Sequence, residues 1–119
     1  MARDAAIVTT WGAGIPGREA KGLEVFMDAV TFWGKKAADG RCSQPEVLFA
    51  EDGSSGMLIV RGRSDALREI TESEEGEKLI AKAQMIVQDL KSHWYYTGDE
   101  EMQRGTRIFA EAGNELGYM

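Results

Sequence analysis

The chain is predicted to be an α+β domain whose elements run strand, helix, strand, strand, helix, strand, with one more helix at the end. Three observations predict it. Short runs rich in β-branched and aromatic residues stand near positions 5, 46, 57 and 93. Two long stretches between them repeat apolar side chains every three or four residues. A glycine-rich turn joins the second and third runs. With 119 residues, 43% of them hydrophobic, there is material for one soluble globular domain spanning 1–119, with a core over about 5–98 and a helical extension over 99–119.

The first strand is Ala5-Ala6-Ile7-Val8-Thr9-Thr10-Trp11, halted by the breakers Gly12-Ala13-Gly14-Ile15-Pro16-Gly17. From Arg18 to Ala38, Leu23, Phe26, Met27, Val30 and Trp33 form one helical stripe, and Gly40 stands where a left-handed residue closes a helix. Glu46-Val47-Leu48-Phe49-Ala50-Glu51 and Met57-Leu58-Ile59-Val60-Arg61 read as antiparallel partners across Asp52-Gly53-Ser54-Ser55-Gly56. Ser64 or Asp65 suits a helix start, and Ser73 followed by Glu74-Glu75 suits another, giving one bent helix or two short ones. Leu79, Ala83, Ile86, Val87 and Leu90 continue the helical spacing, and Lys91-Ser92 breaks it. His93-Trp94-Tyr95-Tyr96-Thr97 is the fourth strand. After Gly98, three acids favour a helix N-terminus, and Ile108, Phe109, Ala112 and Leu116 mark a last helix weakened by Gly105 and Gly113.

A right-handed crossover in each strand-helix-strand unit puts both helices on one face of a four-stranded antiparallel sheet. The other face is then bare, yet the strands are apolar at both parities: Ile7 with Val8, Leu58 and Val60 with Ile59, Trp94 and Tyr96 with Tyr95. An apolar surface of that size calls for a cover, and the simplest cover is the same face of a second copy about a twofold axis.

The order of elements over residues 5 to 98, the helix opening Gly17-Arg18-Glu19, the Asp65-Ala66-Leu67 segment after the third strand and the aromatic fourth strand together resemble the dimeric α/β-barrel superfamily. That superfamily has a ferredoxin-like fold and includes antibiotic-biosynthesis-monooxygenase-like and muconolactone-isomerase-like proteins. The resemblance implies two sheets facing each other across a homodimer, with a small apolar cavity in each half. No residue set matches the catalytic constellation of any one member, so no family active site carries over.

Strand parity supplies the candidate residues. His93, Tyr95 and Thr97 form the more polar side of the fourth strand and are assigned to the open face, with Met57, Ile59 and Arg61 from the third strand and Ile7, Thr9 and Trp11 from the first. A one-residue slip reverses any of these assignments. His93 is the chain's single imidazole, the side chain type suited to accept and return a proton near neutrality, and equally a residue that serves structure. Arg61 can clamp an anionic group or pair with Glu51 or the terminal carboxylate. Trp11 and Tyr95 can wall a planar ligand or belong to the core. Two functions fit this pattern. One is a small homodimer that binds a partly apolar molecule between the sheet and its partner, through Thr9, Trp11, Met57, Ile59, Arg61 and Tyr95. The alternative is a cofactor-independent oxygenase or isomerase acting on a small aromatic or polyketide-like metabolite, with His93 as proton shuttle.

Other classes fit poorly. A net charge of −6 repels nucleic-acid backbones and anionic membranes, and no apolar run reaches spanning length. A lone Cys42 forms no internal bridge, which with the absence of a leader-like start places the chain in the cytoplasm as the default. Arg41 beside Cys42 would lower the thiol pKa, but no histidine is near in sequence to complete a reactive pair. The glycines at 12, 14 and 17 have the spacing of a dinucleotide-binding fingerprint, but Pro16 removes an amide that phosphate binding would use, and the cluster reads as a turn. Glu69, Glu72, Glu74, Glu75 and Glu77 read as a solvated helix face rather than a metal site, and no cofactor is expected.

Overall fold

A computed structural model describes residues 2–119. The elements are β1 (Asp4–Trp11), α1 (Glu19–Ala38), β2 (Glu46–Phe49), β3 (Gly56–Arg63), α2 (Ser64–Glu72), α3 (Glu74–Gln84), β4 (Lys91–Tyr96) and α4 (Asp99–Leu116). The strands form one antiparallel sheet in the order β2-β3-β1-β4, the ferredoxin-like arrangement. Non-adjacent strands meet because each crossover carries its helix over the sheet.

Most boundaries follow from local chemistry. Gly40 closes α1 at φ 77°, and Gly53 turns the β2–β3 connection at φ 74°. The second helical stretch resolves into two helices. Ser73 is extended, and its hydroxyl accepts a hydrogen bond from the Gly76 amide at 3.1 Å, capping α3 and ending α2 one residue earlier. A Cβ on Gly76 would sit 2.5 Å from the Ile70 carbonyl oxygen, so only glycine permits this tight junction. Two boundaries differ from expectation. Lys91 and Ser92 open β4 instead of interrupting a helix, and α3 stops at Gln84. The apolar side chains of Ile86, Val87 and Leu90 therefore lie on a connecting segment, where Val87 pairs with Gly14.

The core lies between the sheet and its helices. Ala5, Ile7, Leu58 and Val60 from the strands meet Phe32 and Trp33 from α1 and Leu67 and Ile70 from α2, all buried. Each large aliphatic side chain here gains about 1.5–3 kcal/mol from leaving water. Directly opposed residues of an antiparallel pair share a face, so the pairs Ile7 with Val60 and Ile7 with Trp94 place odd-numbered β1 residues toward the helices. The open face comprises Ala6, Val8 and Thr10, opposite Arg61, Ile59 and Met57 on one side and, for Ala6 and Val8, Tyr95 and His93 on the other.

Candidate functional site

The sheet and helices part at the Trp11 end of the fold. Trp11 is the last residue of β1, and it faces Gly56, where a Cβ would lie 2.6 Å from the indole ring. The missing side chain lets the ring lie flat across β3. Phe26 of α1 meets Trp11 edge-on at 6.3 Å between centroids, and Phe49 of β2 packs on Phe26 at 5.6 Å. Beside this aromatic corner a cavity of about 400 Å³ opens between helices and strands. Its floor is Thr9, Trp11 and Leu58, and its walls include Trp33 and Ala29 of α1 and Leu79 and Ala83 of α3.

The connecting segments close the far end. Gly12 donates to the Gln88 carbonyl at 2.8 Å, Gln88 to that of Ala13 at 2.8 Å and Ile15 to that of Ile86 at 2.9 Å, zipping the glycine-rich loop to the 86–88 segment. This explains both the unexpected extended stretch after α3 and the loop's glycines, which form a wall rather than a phosphate cradle. Ile86, Val87 and Leu90 turn into the same cavity.

Polar groups are few. The Thr9 hydroxyl shares a 3.0 Å hydrogen bond with Ser92, and the Arg18 guanidinium is held by the Met85 carbonyl. Glu19 accepts from the Gly17 amide at 3.1 Å, and the amides at the start of α1, its own first and that of Gly17 next, hold its carboxyl below the usual range. Glu19 is therefore an anion at neutral pH and a weak base. No buried side-chain nitrogen or oxygen lacks a partner among the described residues.

The structure splits the sequence-derived candidates across the two faces of the sheet. Thr9 and Trp11, with Ile7, were expected on the open face; they lie on the helix face, and Thr9 and Trp11 line the cavity. The reversal arises because β1 is apolar at both parities, leaving alternation silent, so the pairing of Ile7 with Val60 decides. Met57, Ile59, Arg61, His93 and Tyr95 lie on the open face, as their strand parity indicated. His93 and Tyr95 stand 6.4 Å apart there, on the far side of the sheet from the cavity. Arg61 pairs with Glu46 at 3.3 Å, diagonally across the β2–β3 ladder, and not with Glu51. At Cys42, burial raises the thiol pKa and outweighs Arg41. Phe26, Trp33, Phe49 and Ala83 were missed as site residues. For Phe26, Trp33 and Ala83 the signal was the helical stripe, and for Phe49 the apolar β2 run; both read as core until a gap is seen.

No family model matches the chain, and no curated protein matches it. Solved structures do. Rv0793 from Mycobacterium tuberculosis superimposes with a TM-score of 0.66 at 17% identity, over 81% of this chain and 96% of that one. SnoaB from Streptomyces nogalater, a cofactor-independent oxygenase, gives 0.65 at 14% identity, over 79% and 92%. A candidate antibiotic biosynthesis monooxygenase from Deinococcus radiodurans gives 0.62 at 15%, over 80% and 93%. The chain therefore shares the ferredoxin-like fold of these structures, among them a cofactor-independent oxygenase and a candidate antibiotic biosynthesis monooxygenase. The share of this chain outside the superposition is about a fifth, comparable in length to α4 and its tail.

Proposed function

We propose that the protein is a homodimer that binds a small, largely apolar aromatic molecule in the cavity between its sheet and helices α1 and α3. The observation that carries this reading is the cavity itself: about 400 Å³, walled by indole, phenyl and aliphatic groups. That volume falls within the range typical of small-molecule pockets, and apolar walls with a few polar groups are their common composition. Trp11, Phe26 and Phe49 offer ring faces and edges for stacking. Thr9 offers a hydroxyl, and the lining charges of Arg18 and Glu19 offset each other. The open sheet face, with Val8, Met57 and Ile59 at its centre, is the surface through which two copies meet.

Titration of the full chain with 2-naphthol, read by calorimetry, tests the pocket. Wild type takes up one molecule per chain, and Ala83→Trp, which fills the space between α3 and the sheet, weakens binding at least tenfold while the protein stays folded. Equal binding by wild type and Ala83→Trp contradicts the assignment.

A second reading, cofactor-independent oxygenation or isomerisation, draws on the likeness of fold to SnoaB. In this chain the helix-side cavity contains no imidazole, and its carboxylate Glu19 is held in its weakly basic form. Binding without turnover is therefore the simpler function. Oxygen uptake during incubation with a phenolic ligand that binds the cavity would favour the enzyme, and none is expected.

A further inference from the structure

Helix α4 is an amphipathic helix whose apolar stripe is left exposed beyond its root. No residue over Asp99–Leu116 is buried. Ile108, Phe109 and Leu116 are 42%, 69% and 72% exposed, although with Ala112 they line one side of the helix as a packing stripe does. Gly105 and Gly113 each weaken a helix interior by about 1 kcal/mol relative to alanine, and helices in proteins take most of their stability from packing an apolar face. A segment of this kind needs a surface to lie on.

Only its root is anchored. Both oxygens of the Glu101 carboxylate accept from the Arg3 guanidinium, the Nε contact being 2.7 Å, and Arg3 also stacks on Tyr96 with its Cζ 3.4 Å from the ring centroid. The Thr97 amide donates to the Asp4 carbonyl at 3.0 Å. The root of the helix is therefore fixed at the end of β4, beside Tyr96.

The size of the missing contact can be read from the whole chain. It exposes 8100 Å², whereas a compact monomer of 13.1 kDa exposes roughly 6,400 Å². Its radius of gyration is 17.1 Å against about 13.5 Å for a compact domain of this length. The excess of roughly 1,700 Å² matches what one subunit contributes to a permanent dimer interface, about 1,000–2,500 Å².

We propose that α4 is an exchanged arm, packing its Ile108–Phe109–Leu116 stripe on a second copy of this chain and receiving that copy's arm in return. The proposal rests on the homodimer of the preceding section, and its test separates the two. In full-length protein carrying a photo-reactive amino acid in place of Phe109, mixed from ordinary and ¹⁵N-labelled chains, irradiation is expected to join light chains to heavy ones. Phe109→Asp and Ile108→Asp, which touch nothing buried in their own subunit, are expected to raise the dimer dissociation constant roughly 100-fold with an unchanged near-ultraviolet spectrum. A dimer whose cross-links stay within one chain, or whose affinity ignores both substitutions, overturns the arm and leaves the homodimer standing. Cross-links to a co-purified protein of another sequence overturn it as well. A wild-type chain that sediments as a monomer at high micromolar concentration overturns both.

Discussion

Trp11 and His93 show how one residue of parity separates two chemistries. Both are singled out by side-chain type, yet Trp11 faces the helices and lines the cavity while His93 faces away from it. His93→Gln is accordingly expected to leave 2-naphthol affinity within twofold of wild type, and a loss of tenfold or more by calorimetry would place the site on the other face. Gly76 carries the most rigid steric demand, because the atom a Cβ would strike is backbone. Gly76→Ala is expected to destabilise the fold by about 2–4 kcal/mol in urea denaturation, whereas Ser73→Ala, which removes the cap and the hydroxyl's hydrogen bond to the Ile70 carbonyl, costs about 1–2 kcal/mol. Equal effects of the two would deny the steric clash.

At the scale of elements, α1 and α3 both turn an apolar stripe toward the sheet, but they do not fill the space above β1. Their periodicity was legible in Leu23, Phe26, Val30, Trp33, Leu79 and Ala83, because a stripe is written by residue spacing. The gap between them was not, since packed and unpacked stripes share one pattern. The strand order was legible through crossover handedness, and the faces of β3 and β4 through their polar residues. Those of β1 were hidden by its uniform apolarity. Arm α4 belongs to this scale too. Glu101 has its carboxyl pKa lowered chiefly by the hydrogen bond from Arg3. A lowered carboxylate pKa contributes stability above the unfolded-state value, which is lost as pH falls through the folded-state one. The root of α4 is therefore expected to hold at pH 7 and to loosen only in acid below the ordinary carboxylate range. Hydrogen exchange of the Met102 amide, which donates to the Gly98 carbonyl, checks this: Glu101→Gln should show at neutral pH the weak protection that wild type shows only in acid.

The whole molecule joins a narrow core to two unfilled surfaces, the open sheet face and the α4 stripe, and to an apolar cleft between the sheet and helices α1 and α3. Its 55 × 33 × 24 Å extents are those of a body with a projecting arm, a shape that charge and composition did not disclose because both average over the chain. The chain's three tryptophans report on the central claim, that the helix-side cavity holds a small aromatic ligand. Trp11 and Trp33 line the cavity, while Trp94 lies outside it under the Arg68 guanidinium, 4.3 Å from the ring centroid. The most direct measurement is the set of three indole N–H resonances in ¹⁵N-labelled protein during titration with 2-naphthol. The Trp11 and Trp33 signals are expected to shift together and saturate at one ligand per chain, with Trp94 unmoved. Shifts confined to Trp94, or none at saturating ligand, would contradict it.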